Sequence, residues 1–74
     1  MEIFELQLQG KTYHIAPQEN KTFNVLQNGV QLGSIYPEAG DLAIEWHSKD
    51  NLAPAFVRQL GEQISKYQIE RDAL

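Results

Sequence analysis

Histidine is the residue type that titrates nearest to neutral pH, and this sequence has two histidines, His14 and His47, which are its first candidates for proton transfer or metal binding. In a sequential five-stranded sheet they would lie three strands apart, about 14 Å. The ligands of one metal ion lie only ~2 Å from it. We therefore expect two surface histidines and no metal site. The alternative is a small-ligand binder or enzyme that uses His14, His47 and nearby glutamates on an open sheet face.

Other combinations of reactive residues also give no recognisable site. Neither Ser34 nor Ser48 belongs to a recognisable triad motif with a histidine, and no glycine-rich phosphate loop leads into a helix. Glu5 and Glu45 fall on different predicted strands of a flat face, which offers no cleft in which two carboxylates could act together. We predict no catalytic residue, no cofactor and no enzymatic activity.

With 74 residues and no cysteine, the chain has room for one small domain, residues 1–74, and has no disulfide to reinforce it. A core of this size supplies only about 3–5 kcal/mol of net stability. Association is a common way to stabilise such a domain. We therefore expect a homo-oligomer or a complex with another protein.

Ten acidic residues outweigh six basic ones, which gives a net charge of −4, and the whole excess falls in residues 1–50. An acidic sheet repels phosphate backbones, which argues against nucleic acid as a partner. No apolar run approaches the ~20 residues that cross a bilayer, and the first residues do not resemble a signal peptide. Because small secreted domains are commonly rich in disulfides, we expect a cytoplasmic protein without membrane contact.

A first hairpin is predicted near the start of the chain. Leu6 and Leu8 alternate with polar residues, as in a half-buried strand. Gly10-Lys11 can form a two-residue turn, in which glycine takes the positive φ. That turn would pair Leu8 with Tyr13. The next inward pair would join Leu6 to Ile15 on the same face.

The second predicted hairpin turns at Asn28-Gly29, the residue pair most typical of a two-residue hairpin turn. This turn would pair Val25 with Leu32 on the face shared by the large apolar residues. Leu26 and Ile35 would then lie on the opposite face.

Residues 37–41 read as a loop, and a fifth strand is predicted for residues 42–47. Leu42, Ile44 and Trp46 alternate there with Ala43, Glu45 and His47.

A helix is predicted over about residues 52–68, followed by a tail at 69–74. Ser48, Asp50 and Asn51 are candidate N-caps, and Pro54 suits the first turn. Gly61 interrupts the apolar stripe at a cost of roughly 1 kcal/mol in helix propensity. We expect it to let the helix approach a bulky sheet residue, for which Trp46 is the candidate.

These elements predict an α+β fold, an antiparallel β-meander of about five strands over residues 2–47 with one C-terminal α-helix packed on one face. The other face would stay open. The residues expected on the covered face are Phe4, Leu6, Leu8, Tyr13, Ile15, Phe23, Val25, Leu32, Ile44 and Trp46.

An uncovered face and two unprotected edge strands favour association with another protein surface. Our leading hypothesis is a small non-enzymatic protein-interaction domain that self-associates through an edge strand or the open sheet face. The residues expected at that contact are Ile3, Thr12, His14, Asn24, Leu26, Gln31, Ile35 and His47.

Overall fold

The computed structural model describes the backbone of residues 3–72 and the side chains as far as Tyr67. In this part of the chain five antiparallel strands form one curled sheet in the order β1-β2-β3-β4-β5, and a helix follows them. The predicted α+β meander with a C-terminal helix is confirmed. The elements are β1 Phe4–Leu8, β2 Lys11–Pro17, β3 Phe23–Gln27, β4 Val30–Ala39, β5 Ile44–His47 and α1 Pro54–Asp72.

The turn of the first hairpin lies one residue earlier than predicted. Gln9-Gly10 has φ values of 52° and 78°, positive at both positions as in a type I′ turn. Leu6 therefore pairs with Tyr13 rather than with Ile15. The predicted Gly10-Lys11 turn was wrong because this turn type places glycine second. Since the pairing moves by an even number of residues, the apolar side chains keep their common face.

A bulge in the second hairpin reverses the predicted faces of β4. Asn28-Gly29 forms the turn, as predicted, with φ values of 53° and 78°. After Val25 the register shifts, so that Val25 pairs with Gly33 rather than with Leu32. The extra residue changes which alternate positions face the helix. Ile35, predicted on the open face, is therefore in the core with 0% of its surface exposed.

The core lies between α1 and the face of the sheet that α1 covers. Among the described side chains, the buried apolar residues are Leu6, Tyr13, Ile15, Phe23, Val25, Ile35, Val57, Leu60 and Ile64. Phe4, Leu8, Leu32, Trp46, Leu52 and Phe56 are half-buried against them. These contacts include every residue of the predicted covered face except Ile44, which is 62% exposed, and they add Ile35, which was predicted on the open face.

Gly61 lies directly against the indole ring of Trp46, which confirms the prediction made for this glycine. A Cβ atom at position 61 would overlap the ring. On the sheet side, the centroid of the Phe23 ring is 5.6 Å from that of Trp46. The indole is thus held between α1 and β3, and the glycine sets how closely α1 approaches the sheet.

The last two strands differ from their predicted boundaries. β4 continues through Pro37, where a loop was predicted, and β5 begins at Ile44 rather than at Leu42. Ile44 was predicted to face the core, yet it is 62% exposed, and Val30 at the start of β4 is 61% exposed. Both residues lie at strand ends, where apolar and polar residues still alternate but α1 does not cover the apolar side chains.

α1 begins at Pro54, in the first turn as predicted, but two of the predicted capping residues, Ser48 and Asp50, form hydrogen bonds with β4. Asp50 Oδ2 accepts a hydrogen bond from the backbone N–H of Ser34 at 2.7 Å. Ser48 Oγ donates to the carbonyl oxygen of Ser34 at 2.6 Å. These two side chains tie the connection between β5 and α1 to β4.

α1 extends to Asp72, beyond the predicted end at about residue 68. The predicted tail, 69–74, is helical as far as Asp72, and its last two residues lie outside the described part of the chain, as does the predicted sheet residue Glu2. Within residues 3–72, no helix combines the length and the apolar character needed to cross a bilayer.

Candidate interaction surface

The open face is the face of the sheet that points away from α1. Its residues are Glu5, Gln7, Thr12, His14, Ala16, Asn24, Leu26, Gln31, Ser34, Tyr36, Glu38, Glu45 and His47. The predicted contact residues found on it are Thr12, His14, Asn24, Leu26, Gln31 and His47. Ile35 is in the core, and Ile3 lies just before β1 with 62% of its surface exposed.

One histidine of the open face pairs with a glutamate across the β1–β2 hairpin. His14 lies opposite Glu5, and its Nε2 atom is 3.3 Å from Glu5 Oε1. The two side chains are 43% and 65% exposed, so water competes for both partners. The contact is a surface pair, and such pairs contribute little to stability.

The other histidine lies between two carboxylates. His47 Nε2 is 3.5 Å from Glu38 Oε2 and 3.6 Å from Glu45 Oε1. The Tyr36 ring, opposite His47 in the register, has its centroid 5.9 Å from the imidazole. Among the described residues, no group of three or more His, Cys, Asp and Glu side chains is arranged to hold a metal ion.

His14 and His47 belong to separate pairs on β2 and β5, with β3 and β4 between them. A site that used both histidines would have to span those two strands. Between the two pairs, Ser34 Oγ donates a hydrogen bond to Asn24 Oδ1 at 2.7 Å. The middle of the open face is therefore neutral, and its charged residues lie towards the two edges.

The two edge strands, β1 and β5, each pair with one neighbour among the described strands. On β1, Leu6 is 7% exposed and the Phe4 ring is stacked on the Tyr67 ring of α1. At β5, Leu42 just before the strand is 100% exposed and Ile44 is 62% exposed. The β5 edge therefore presents large apolar side chains to solvent.

The sequence did not single out Leu42 and Ile44 as exposed. Leu42 and Ile44 alternate with small or polar residues in the same way as the large apolar residues of a covered strand do. They are exposed because α1 does not extend over them. The one available signal was Gly40, the residue after β4, since a glycine between two strands is typical of the end of regular pairing.

Comparison of the chain with protein-family models, with curated proteins and with solved structures returned no match.

Proposed function

We propose that this chain is a small non-enzymatic interaction domain that self-associates through the edge of β5. The observation that supports this most is the exposure of two large apolar residues at the edge strand β5: Leu42, just before it, is 100% exposed, and Ile44, its first residue, is 62% exposed. An edge strand offers unpaired backbone N–H and C=O groups to another strand. We place the domain in the cytoplasm as part of the same proposal, because the sequence has no cysteine and small secreted domains commonly depend on disulfides.

A second copy of this chain is the partner we propose, because β5 can pair with itself without conflict. When two copies of one strand pair in antiparallel fashion about a two-fold axis, one residue lies directly opposite its own copy. This follows because residues paired across two strands lie on the same face of the sheet. A pair centred on Glu45 would oppose two carboxylates. A pair centred on Ile44 brings the two isoleucines together and sets Glu45 opposite Ala43.

The expected strength of this contact is modest. Full burial of a leucine or isoleucine side chain contributes about 1.5–3 kcal/mol, and Leu42 and Ile44 each occur twice at a two-fold contact. Association costs an estimated 4–15 kcal/mol. Backbone hydrogen bonds between the two β5 strands would add a small net gain. The apolar gain and the cost of association are thus of similar size, and we expect a weak dimer with a dissociation constant in the upper micromolar to millimolar range.

Sedimentation velocity over a concentration series from about 10 μM to about 1 mM tests the proposal. We expect the unmodified chain to become a dimer as its concentration rises, and Ile44→Lys to stay a monomer throughout with an unchanged circular dichroism spectrum. Ile3→Lys is the matched control, because Ile3 lies beside the other edge strand and is equally exposed, at 62%. A monomeric unmodified chain, or equal dissociation by Ile3→Lys, would overturn the proposal.

Single cysteines test the register, since the chain has no cysteine of its own. In a pair centred on Ile44, the two Cα atoms at position 44 would lie about 4.5–5.5 Å apart, within disulfide range. Ile44→Cys should therefore cross-link under mild oxidation and Glu45→Cys should not. Preferential cross-linking of Glu45→Cys would place the axis elsewhere and contradict this register.

A further inference from the structure

A groove of ≈ 720 Å³ lies beside the open face, where the β2–β3 connection approaches β4 and the segment after β5. This volume is in the range of small-molecule sites. The lining residues that matter for its chemistry are Asn20, Lys21, Thr22, Tyr36, Glu38 and Lys49. Leu42 and Ile44 are not among the residues that line it, so a ligand could occupy this groove whether or not the chain self-associates.

Two lysines line this one groove in a protein that has only six basic residues and a net charge of −4. Among the described side chains, each ion pair involves His14 or His47. Neither Lys21 nor Lys49 forms an ion pair with any of them. Two unpaired ammonium groups beside the same cavity attract an anion, and phosphate or carboxylate oxygens are their usual partners.

The backbone at Lys21 is held in an unusual conformation. Its φ is 64°, in the left-handed region that residues with a Cβ atom rarely adopt. The loop is closed by a hydrogen bond from the backbone N–H of Gln18 to the carbonyl oxygen of Thr22 at 2.8 Å. Thr22 Oγ1 also donates to Asn20 Oδ1 at 2.7 Å. These bonds fix the loop so that Lys21 is presented at the groove.

The rest of the lining suits a ring that carries hydroxyl groups. Tyr36 supplies an aromatic surface against which the apolar face of a sugar ring can pack. Glu38 supplies a carboxylate, which accepts hydrogen bonds from hydroxyl groups. Glu38 Oε2 is also 3.5 Å from His47 Nε2, so the imidazole is a second polar group beside this carboxylate.

We propose that this groove binds a small phosphorylated sugar, with the phosphate held by Lys21 and Lys49 and the ring packed on Tyr36 beside Glu38. In this arrangement both the basic and the acidic residues of the lining contact the ligand. Inorganic phosphate would meet only the two lysines, and an uncharged sugar only Tyr36 and Glu38. A sugar phosphate makes both sets of contacts at once.

Two-dimensional ¹H–¹⁵N NMR titration of the full chain with glucose 6-phosphate, inorganic phosphate and glucose tests this assignment. We expect glucose 6-phosphate to give saturable shifts at the amides of Asn20, Lys21, Thr22 and Lys49, with an affinity about tenfold above that of inorganic phosphate. Glucose should bind more weakly than either.

Two double variants distinguish binding in the groove from attraction by the overall charge of the protein. Lys21→Gln with Lys49→Gln should reduce the affinity for glucose 6-phosphate by at least about tenfold. Lys11→Gln with Lys66→Gln removes the same charge outside the groove and should leave the affinity unchanged. The spectrum without ligand reports whether each variant is folded.

Three results would overturn the proposal. The first is the lack of saturable shifts at the groove amides with glucose 6-phosphate. The second is equal affinity for glucose 6-phosphate and inorganic phosphate. The third is an equal loss of affinity in the two double variants, which would indicate attraction by overall charge.

Discussion

The two edges of the sheet meet the same helix in different ways. At β1, the Phe4 and Tyr67 rings stack with centroids 4.0 Å apart and planes 6° from parallel. At β5, the contact is made by Trp46 against Gly61, where no side chain separates the indole from the helix. α1 contacts both edge strands and β4, but Ile44 on the outer strand remains 62% exposed.

This difference shows that contact with a helix does not by itself cover an edge strand. Two rings that meet face to face extend the apolar surface of α1 over the start of β1. A glycine lets the helix come close to β5 at one point, but it adds no surface that could reach beyond Trp46. Ile44, two residues earlier on the same side of the strand, is left to water or to a partner.

The largest expected effect is at the β5 contact. Gly61→Ala should lower the free energy of unfolding by about 3 kcal/mol, because a Cβ atom would overlap the Trp46 ring. This loss exceeds the roughly 1 kcal/mol that alanine gains in helix propensity. Urea unfolding followed by circular dichroism measures the difference.

Glu62→Ala is the control for Gly61→Ala, since it changes the neighbouring, exposed position of α1. It should change stability by less than about 0.5 kcal/mol. In a Trp46→Leu background, Gly61→Ala should cost much less than in the unmodified chain, because the overlapping ring is gone. A more stable Gly61→Ala protein would show that the close approach is not what positions α1.

A smaller effect is expected at β1. Phe4→Leu keeps an apolar side chain but removes the ring that stacks on Tyr67, and should cost about 1–2 kcal/mol. A double-mutant cycle with Tyr67→Leu should give a coupling energy of about 1 kcal/mol by urea unfolding. Additive losses would mean that the two rings are adjacent without stabilising each other.

The regular parts of this fold could be predicted from the sequence. The alternation in β1 and β2 identified the covered face correctly although the turn was misplaced, because a shift by an even number of residues keeps every side chain on its face. Gly61 was recognised because a glycine inside an apolar helix stripe carries a cost that close packing can offset. Its contact with Trp46 is the confirmed result.

The bulge in β4 was not predicted, although the sequence contains a trace of it. Leu32 and Ile35 are both apolar, and no unbroken alternation can bury both. Gly33 between them is typical of a bulge. The hairpin turn alone fixes the register only as far as the first irregularity, so Ile35 was assigned to the wrong face.

The groove residues could not be grouped from the sequence. Lys21 and Lys49 have 27 residues between them and lie in two different connections. The register of the strands does not predict how close these two connections come to each other. The exposure of Ile44 likewise depends on how far α1 reaches, which is a property of the packed structure. Loop positions and helix reach are tertiary effects that periodicity does not encode.

The smallest effects are expected from the charged pairs near the two edges, and they should differ in sign. Glu5→Gln removes the partner of His14 and should lower stability by at most about 0.5 kcal/mol, because both side chains are exposed. Glu45→Gln removes one of two carboxylates that lie directly opposite each other, Glu45 and Glu38.

Like charges in that position destabilise a sheet by a few tenths of a kcal/mol. Since Glu38 stays beside His47 when Glu45 is replaced, the histidine keeps a partner 3.5 Å away while the repulsion is lost. Glu45→Gln should therefore be neutral or slightly stabilising in urea unfolding at neutral pH. If Glu45→Gln lowers the free energy of unfolding by more than about 1 kcal/mol, the exposed Glu38–Glu45 pair is coupled to the packing of Trp46, the next residue of β5. The two edges of the sheet would then differ in their charged pairs as much as in their contacts with α1.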